Sequence, residues 1–468
     1  MKVMIVGAGK LGYKLAEAMI LEEIDVTLID DNAKVIERVN QQLDVLTVVD
    51  SGINISMLKD LNINSFDLLI ATTENDATNA VICAFAKKLG CMKTIARIRN
   101  PEYTEQLDFV KSEMGIDFII NPDFETAHAI AKYLLRHVVY FSGEFAGGRA
   151  KMINFNVGHD PHFVGNRIMD IQGLEGVLIT AISREGQLII PNGSIILSEG
   201  DVIHVLGKEE DIIRFNKKYK LRGKEREIKS AMILGGGNLS YYLAKELRKA
   251  KVDVTIIEQD KAKANRLAEK LKHVLIINGD GTDVSLLEEE NINEMDAFIG
   301  ATGFDEHNLL MALMAKQYGI CKSIAKVSRP NYTKIIDKLD IDAAINPMNI
   351  TAANILKFIR GGKILAVSLL LGGQGEVTEI IVTPDMPYVD KPISSLNLPE
   401  RVIIGAIIQD GEVIIPKGND RIKPYDRIIV FSLSEDFDSL KTFFKPSKGG
   451  FFGEIWNRSK GSRFNSNH

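Results

Sequence analysis

The sequence predicts an α/β fold with two tandem Rossmann-type, doubly wound parallel sheets, each followed by a small β-rich α+β domain. Short apolar strand segments alternate with segments of helical apolar spacing from residue 2 to residue 122. A glycine-rich turn joins the first strand to the first helix. The same series of segments begins again at residue 230, so the chain contains two copies of one unit.

The glycine-rich turn is the first feature that points to a ligand. Residues 2–6 form an apolar strand that runs directly into Gly7-Ala8-Gly9-Lys10-Leu11-Gly12. This G-x-G-x-x-G pattern between a strand and a helix is typical of dinucleotide-binding folds. Gly7 permits a tight turn, Gly9 lets the backbone approach a pyrophosphate, and Gly12 lets the helix pack against the strand.

An acid follows the glycines at the spacing that such folds use. The second strand, residues 25–30, ends at Asp30, about twenty residues beyond the turn. A carboxylate in this place accepts hydrogen bonds from a ribose diol. We therefore predict that Asp30 binds a ribose; the alternative is an acid that caps a helix or closes a turn.

The remaining segments of the first copy continue the alternation. Helices are predicted at residues 11–21, 33–42 and 80–89, with a short one near residue 56, and strands at residues 45–49, 67–71, 94–98 and 117–122. The loop at residues 72–79 follows the strand 67–71. Because ligands bind outside the carboxyl ends of parallel strands, this loop is expected beside the crevice.

A longer helix is predicted after each Rossmann unit, at residues 125–140 and again at residues 351–359. The first has an apolar stripe made of Ala127, Ile130, Ala131, Leu134, Leu135 and Val138. Such a stripe fits ordinary core packing, and it equally fits a crossover helix that exchanges with a partner subunit.

The second copy repeats the first in order. Its glycine turn is Gly235-Gly236-Gly237-Asn238-Leu239-Ser240, and its second strand ends at Glu258. Residues 276–280 are matched to 48–52, 301–308 to 71–79, 324–327 to 95–98, 345–347 to 120–122, 411–416 to 186–191 and 425–430 to 200–205. The duplication therefore includes the β-rich segments.

This order predicts the following domains. The Rossmann domains are expected at residues 1–123 and 229–348, the crossover helices at 124–140 and 349–362, the small β-rich domains at 141–220 and 363–446, the linker at 221–228 and a basic and aromatic tail at 447–468.

Composition limits the class of protein. With 45% hydrophobic and 25% charged residues, the chain is typical of globular proteins. A formal net charge of -5 gives no support to non-specific nucleic-acid binding. The sequence contains no run of 18 apolar residues, so no membrane span is predicted. Gly7 interrupts the N-terminal apolar run too early for a signal peptide. Three cysteines without C-x-x-C spacing, Cys83, Cys91 and Cys321, favour reduced core thiols in a cytosol.

Other chemistry has little support in the sequence. There is no P-loop pattern, no set of His and Cys with zinc spacing, and no G-x-S-x-G turn. We therefore predict neither a metal site nor turnover. An NAD(P)-dependent dehydrogenase and a redox-sensing Rossmann transcriptional regulator remain the alternatives. The first needs an acid–base group beside the nicotinamide, and the second needs a DNA-binding appendage.

The glycine turn, Asp30, the A-T-x-x-x-D-x-x-N loop, Ala96-Arg97 and the double copy together resemble a known family. They are similar to the TrkA family, the cytosolic regulatory subunits of Trk potassium uptake systems, built from regulator-of-potassium-conductance (RCK) domains. The resemblance covers residues 1 to about 445, through both N-terminal and both C-terminal modules. Its specificity comes from the tandem order, because the glycine pattern alone occurs in many dehydrogenases.

The resemblance implies a ring of Rossmann units, a homotetramer of four chains, beneath a membrane potassium channel subunit of the TrkH type. It implies NAD, NADH, ATP or ADP as regulatory ligands, no nucleic acid, and a cytoplasmic location peripheral to the inner face of the plasma membrane. In the first copy it implies ligand contacts from residues 7–12 and from Asp30, Asp50, Ser51, Thr72, Thr73, Asn79 and Arg97. In the second copy it implies contacts from Gly235, Gly236, Gly237, Asn238, Leu239, Glu258, Gly279, Asp280, Ala301, Thr302 and Lys326.

Arg97 admits two interpretations. A guanidinium inside an apolar strand could meet a terminal phosphate through two hydrogen bonds. Alternatively it is a buried structural charge paired with a nearby acid such as Asp76. We expect contact with ligand or subunit, because charges inside strands need a specific partner.

The second copy departs from the pattern at several places. Ser240 replaces the third glycine, Glu258 replaces Asp30, and Lys326 replaces Arg97. The loop to Asp305 is expected to be one residue shorter than its counterpart, and residues 50–52 lack the Gly-Asp found at residues 279–280. These differences predict two sites of unequal preference. The tail after residue 446 is interpreted either as a frayed end or as a segment that docks on lipid or a partner.

Overall fold

A computed structural model of the chain describes residues 1–21, 24–104, 106–135, 143–158, 160–219, 227–329, 332, 339–360, 364–371, 374–384, 386 and 388–433. Three predicted segments lie outside this range: residues 221–226 of the linker predicted at 221–228, residues 136–140 of the first long helix, and the tail at residues 447–468.

The first Rossmann sheet has six parallel strands in the order β3-β2-β1-β4-β5-β6. The strands are β1 Lys2–Val6, β2 Asp25–Asp30, β3 Leu46–Val49, β4 Leu68–Ala71, β5 Lys93–Arg97 and β6 Phe118–Ile120. The strand order reverses between β1 and β4, which is where doubly wound sheets bind ligands. The predicted fold class is therefore confirmed for this copy.

Seven helices accompany this part of the chain. They are α1 Lys10–Ile20, α2 Ala33–Asn40, α3 Ile55–Asp60, α4 Asp76–Lys88, α5 Pro101–Thr104, α6 Leu107–Met114 and α7 Pro122–Leu135. Side chains of Asn32, Asn54 and Asn75 accept hydrogen bonds from the first turns of α2, α3 and α4, so the sequence fixes where these helices begin. The sequence analysis did not predict α5 and α6.

A five-stranded antiparallel sheet follows, in the order β10-β9-β11-β8-β7. Its elements are β7 Gly143–Phe145, β8 Ala150–Asn156, β9 Val177–Arg184, β10 Gln187–Ile189, β11 Val202–Lys208 and helix α8 Glu209–Tyr219. The aromatic rings of Phe155, Phe163 and Phe215 pack together under α8 and form part of the core on one face of the sheet.

The second Rossmann sheet repeats the first, in the order β14-β13-β12-β15-β16-β17. Its strands are β12 Ser230–Leu234, β13 Asp253–Glu258, β14 Leu275–Asn278, β15 Ala297–Gly300, β16 Lys322–Lys326 and β17 Ala343–Ile345. Its helices are α9 Asn238–Lys249, α10 Lys261–Lys270, α11 Val284–Glu289, α12 Asp305–Gln317 and, after the sheet, α13 Pro347–Arg360.

A second antiparallel sheet closes the described chain, in the order β18-β19-β22-β20-β21. Its strands are β18 Ile364–Leu370, β19 Gly375–Ile381, β20 Val402–Gln409, β21 Glu412–Ile414 and β22 Arg427–Leu433. Apolar side chains of this sheet, such as Val377 and Phe431, share one core with Met152 and Leu206 of the first β-rich sheet. The two β-rich sheets therefore pack on each other.

The chain divides into two compact units, and the two long helices lie in the opposite unit from their own repeat. One unit holds the described residues of the range 1–122 together with residues 348–360, so α13 packs with the first sheet. There the ring of Phe358 stacks on Phe118 at 4.9 Å between centroids. The other unit holds the described residues of the ranges 123–347 and 364–433, so α7 packs with the second sheet. The two long helices are thus exchanged between the two repeats of this chain.

Helix α7 buries most of its predicted stripe. Ala127, Ile130, Ala131 and Leu134 are buried, whereas Leu135 is 36% exposed, so its assignment to the stripe is wrong. Val138 lies outside the described residues. Helix α13 begins at Pro347, four residues before the predicted start. None of the helices among the described residues is long and apolar enough to cross a membrane.

Backbone pairing corrects the match between the two copies. Val3 pairs with Leu68 and Ala231 pairs with Ala297, so Thr72 corresponds to Ala301. The loops that lead to α4 and α12 then have equal lengths, and the predicted shortening of the second loop is wrong.

The same registers correct the match at β3 and β14. Asp30 pairs with Val49, and Glu258 pairs with Asn278. Ser51 therefore corresponds to Asp280. The extra residue of the second copy lies before β14, where α10 is longer than α2.

Candidate functional site

The first glycine turn is shaped by contacts that exclude side chains. Gly7 has φ +101°, and a Cβ there would lie 2.8 Å from the backbone nitrogen of Thr73. A Cβ on Gly12 would lie 1.8 Å from the carbonyl oxygen of Gly7. Both glycines are therefore required by close packing between the turn, α1 and the end of β4.

The start of α1 leaves room for a ligand. Gly9 is the N-cap, and none of the described side chains caps the helix there. A Cβ on Gly9 would meet no described atom within 4 Å. Ala8 and Leu11 are buried, whereas Lys10 is exposed beside the turn. The first N–H groups of α1 are thus available to an anion such as a pyrophosphate.

Asp30 is fixed beside this turn by backbone donors. Its Oδ2 accepts from the N–H of Ala8 at 2.7 Å, and its Oδ1 accepts from the N–H of Asn32 at 2.9 Å. The side chain thus closes a turn, as the alternative interpretation holds. Because a carboxylate has about four acceptor positions, two remain for a ribose diol.

Asp50 and Ser51 lie in the loop after β3. The carboxylate of Asp50 accepts from the N–H of Ser51 at 2.6 Å and from the amide of Asn54 at 3.1 and 3.0 Å. Asp50 therefore orders its own loop, and Ser51, half-buried, holds the place that Asp280 has in the second copy.

Four predicted residues meet at the end of β4. Asn79 is fully buried; its Oδ1 accepts from the N–H and the hydroxyl of Thr73 at 2.8 and 2.7 Å, and its Nδ2 donates to the carbonyl of Arg97 at 2.9 Å. Thr72 donates its hydroxyl proton to the carbonyl of Gly7 at 2.9 Å. The structure thus places Asn79 and Thr72 beneath the loop, where they position it.

Arg97 also contacts this loop. Its NH1 donates to the carbonyl oxygens of Thr72 and Thr73, each at 3.1 Å. Asp76, the proposed alternative partner, accepts from the N–H groups of Arg99 and Asn100 at 2.9 and 2.8 Å. The half-buried guanidinium therefore lies at the carboxyl edge of the sheet, next to the ligand loop.

The second copy reproduces the turn and its acid. Gly235 has φ +99°, and the N–H of Gly236 donates to Oε2 of Glu258 at 2.5 Å. Oε1 of Glu258 accepts from the N–H of Asp260 at 2.8 Å. The longer side chain thus makes the same two contacts as Asp30, so both copies have a carboxylate fixed beside the glycine turn.

The start of α9 differs from that of α1 at one residue. Gly237 is the N-cap, a Cβ there would meet no described atom within 4 Å, and α9 begins with Asn238 and the buried Leu239. The buried Ser240 donates its hydroxyl proton to the carbonyl of Gly235 at 2.5 Å. The second turn thus accommodates a side chain through a hydrogen bond.

Asp280 is held at the loop after β14. Its Oδ1 accepts from the N–H and hydroxyl of Thr282 at 2.9 and 2.8 Å, and these bonds, with the charge of His307, lower the pKa of Asp280. Gly279 lies close to Leu286, since a Cβ there would lie 2.4 Å from its Cδ2. Asp280 therefore stays ionised at an exposed loop.

The remaining predicted residues of the second copy repeat the first with smaller groups. Asn308 accepts from the N–H of Thr302 at 2.8 Å, as Asn79 does from Thr73. Ala301 lacks the hydroxyl of Thr72, and Lys326 donates to the carbonyl of Ala301 at 3.3 Å. Both copies thus build one crevice edge from the same positions.

Two features of this edge were not predicted from the sequence. Asp76 and Asp305 each accept two backbone N–H groups from the segment after the next strand, which fixes the loop geometry. The second feature is Phe304, which lies at the N-cap of α12 and is exposed. The signal available in the sequence was a phenylalanine directly after a glycine, in the loop that follows β15.

Comparison with known proteins gives the same two-copy division. The TrkA-N domain family matches residues 3–122 and 231–347, and the TrkA-C domain family matches residues 152–220 and 377–445. A Trk system potassium uptake protein TrkA homolog from Methanosarcina mazei is 34% identical over 453 residues, covering 95% of this chain and 100% of that protein. The Trk system potassium uptake protein TrkA of Haemophilus influenzae is 31% identical over 457 residues, covering 96% and 99%.

Solved structures share the fold. The RCK domain of GsuK aligns with TM-score 0.56 and 17% identity, covering 95% of this chain and 94% of that one. A GsuK channel bound to NAD aligns with TM-score 0.55 and 17% identity, covering 95% of this chain and 78% of that one. At these identities the likeness concerns the architecture.

Proposed function

Because the chain belongs to the TrkA family, we propose that it is the nucleotide-sensing regulatory subunit of a potassium uptake system. The relatives are named as Trk system potassium uptake proteins, and they match over nearly the whole of both chains. A potassium-transport role therefore follows from membership, and the sensing of a nucleotide is the finer part of the proposal.

One observation carries the sensing role. In both copies a carboxylate at the end of the second strand accepts from a backbone N–H of the glycine turn, at 2.7 Å for Asp30 and 2.5 Å for Glu258. A carboxylate beside a helix N-terminus supports a ligand that combines a ribose with phosphate. NAD, NADH, ATP and ADP all combine these groups. A GsuK channel, similar in fold, has been solved bound to NAD.

We infer that the ligand is read and not turned over. A ligand that binds one conformation better shifts the population toward it, by no more than its differential affinity. Gly7 of the glycine turn contacts Thr72, which follows β4, through close backbone packing and a hydrogen bond. Arg97 in turn donates a hydrogen bond to the carbonyl of Thr72. The negative charge of a ligand bound at this edge of the first sheet therefore changes the electrostatic environment of the glycine turn and of the loop after β4.

The partner in this proposal is a TrkH-like membrane subunit that carries the potassium pathway. The regulatory chains assemble as a homotetrameric ring, lie in the cytoplasm, and reach the inner face of the plasma membrane through that subunit. A dehydrogenase or a DNA-binding redox regulator would instead require turnover of NADH or binding to DNA. Neither alternative is favoured by a specific contact among the described residues.

The test is potassium flux in membrane vesicles prepared from cells that lack their own uptake systems. The chain and a TrkH-like subunit are co-expressed, and flux is measured in vesicles with ATP, ADP or NADH added on the cytoplasmic side. The double variant Asp30→Ala, Glu258→Ala should abolish the nucleotide response. The control Asp44→Ala, Glu269→Ala should retain it, because it removes two exposed carboxylates, one after α2 and one in α10. Equal flux with and without every nucleotide would refute the proposal.

A further inference from the structure

The second crevice has an aromatic ring where the first has a helix cap. Asn75 and Phe304 occupy corresponding N-cap positions, with similar backbone angles of φ -102°, ψ 120° and φ -113°, ψ 112°. The side chain of Asn75 accepts from the N–H of Thr78 at 2.9 Å. No described side chain caps α12 at Phe304. The backbone is thus conserved between the copies while the chemistry of the side chain is changed.

Phe304 is unfavourable for stability in this place. Phenylalanine provides no acceptor for the helix N–H groups, where asparagine is among the preferred residues. The ring is also 62% exposed, so it gains little from burial. In the free chain the Phe304 side chain thus provides neither a helix cap nor much burial.

The ring is held at the crevice edge by a rigid loop. The hydroxyl of Thr302 donates to Oδ1 of Asn308 at 2.8 Å, and the N–H of Phe304 lies 3.1 Å from that hydroxyl oxygen. The loop follows β15, at the reversal of strand order in the second sheet. A Cβ on Gly303 would meet no described atom within 4 Å, so the approach beside the ring is open.

His307 is a ring neighbour of Phe304. The His307 ring lies 5.2 Å from the Phe304 ring at an interplanar angle of 43°. Asp280 lies in the loop that follows β14. The first copy has Thr78 and Ser51 at the positions of His307 and Asp280. The two copies therefore differ in the side chains at these loop positions as well as at Phe304.

The basic residue at the same edge also differs. Arg97 presents a planar guanidinium, which suits a terminal phosphate, whereas Lys326 presents a single ammonium group. The first crevice thus combines Arg97 with the polar Asn75, and the second combines Lys326 with Phe304. A polyphosphate matches the first pair, and a flat ring at the far end of the ligand matches the second.

We propose that Phe304 is a stacking platform through which the second crevice selects a dinucleotide, such as NADH, over a nucleoside triphosphate. With the adenosine ribose at Glu258 and the pyrophosphate at the glycine turn, the second half of a dinucleotide extends across the strand reversal toward β15. The nicotinamide ring then stacks on Phe304. This inference rests on the proposed function, because it assigns a ligand class to one of the same two sites.

The experiment is NADH and ATP binding to the full chain by calorimetry, in an Asp30→Ala background that weakens the first site. Phe304→Asn restores the residue of the first copy and a helix cap, so the variant is expected to fold. It should weaken NADH binding by about tenfold, the equivalent of one stacked ring, and change ATP binding by less than about twofold. Phe304→Tyr, which keeps the ring, should bind NADH as the parent does.

The matched control is Leu310→Asn, which removes another exposed apolar side chain, 64% exposed, from the same helix. It should leave NADH binding unchanged. Equal NADH affinity in Phe304→Asn and its parent would overturn the inference, as would an equal loss of ATP and NADH affinity. A change in oligomer mass with unchanged NADH binding would also overturn it, because Phe304 would then serve an interface. Failure of the unmodified chain to bind either nucleotide would instead refute the proposed function.

Discussion

The hydroxyl of Ser240 donates a hydrogen bond to the carbonyl oxygen of Gly235 at 2.5 Å, inside the turn that leads into α9. The corresponding position of the first copy is Gly12, where a Cβ would lie 1.8 Å from the carbonyl oxygen of Gly7. The two turns therefore hold their helices by different contacts, although both glycines at the start of the turn have positive φ.

This difference predicts that serine is tolerated in one copy only. Gly12→Ser should destabilise the chain by about 1–3 kcal/mol, since the added atoms overpack the turn. Ser240→Ala should cost about 1 kcal/mol, because it removes one buried hydrogen bond. Calorimetric unfolding checks both values. A smaller loss for Gly12→Ser than for Ser240→Ala would contradict the packing described for the first turn.

The exchanged helices predict where a mutation is felt. Lys93 of β5 lies 5.2 Å from the ring centroid of Phe358 in α13, and Lys322 of β16 lies 4.7 Å from that of Tyr133 in α7. Phe358→Ala should therefore reduce hydrogen-exchange protection in β5 of the first sheet, and Tyr133→Ala in β16 of the second. Loss confined to the sheet of the same repeat would show that the helices are not exchanged.

A buried histidine predicts loss of stability in acid. Burial lowers the pKa of His204 from 6.5 to about 4, and its Nδ1 has no hydrogen-bond partner among the described residues. Because the unfolded chain binds the proton more readily, stability is complete above about pH 6.5 and falls as the pH drops toward 4, by about 3 kcal/mol in total.

The variant that tests this is His204→Ile. His204 of β11 pairs with Asn154 of β8. The corresponding pair in the second β-rich sheet is Ile429 of β22 with Glu379 of β19. An isoleucine is therefore compatible with this type of sheet position. Denaturant unfolding at pH 7 and pH 4.5 should show a smaller acid loss in the variant than in the unmodified chain. The same acid loss in both would rule out His204 as its source.

The thiols differ in their expected reactivity. Burial raises the pKa of Cys91 to about 11 and raises the pKa of Cys83 as well, whereas Cys321 is only half-buried. At pH 8 about one Cys91 side chain in a thousand is a thiolate, so alkylation should modify Cys321 first. The linked stability is present at neutral pH and decreases as the pH rises toward 11. Peptide mass mapping after timed alkylation measures the order, and faster labelling of Cys91 would contradict it.

The sequence predicted the sheets and the acid–glycine pairs because these depend on local patterns. Alternating segments defined the strands, and the spacing from Gly7 to Asp30 placed a carboxylate at the turn that the structure shows. The repeat then extended both features to Gly235 and Glu258. Local spacing was sufficient here, since each of these contacts joins neighbouring strands of one sheet.

What the sequence did not predict depends on long-range pairing. Matching Ala-Thr with Ala-Thr aligned Ala71 with Ala301, whereas the sheet register aligns Thr72 with Ala301. The apolar stripe of α7 showed that it packs, but a stripe carries no information on which sheet receives it. The internal hydrogen bonds of Asn79 likewise depend on the position of Arg97, which only the folded sheet defines.

The most direct test of the central claim is calorimetric titration of the full chain with NADH and with ATP. The account predicts nucleotide binding at two unequal sites, with Asp30→Ala weakening one and Glu258→Ala weakening the other, while both variants keep the melting temperature of the unmodified chain within about 4 °C. Absence of binding by the unmodified chain, or equal loss at both sites in the two variants, would contradict it.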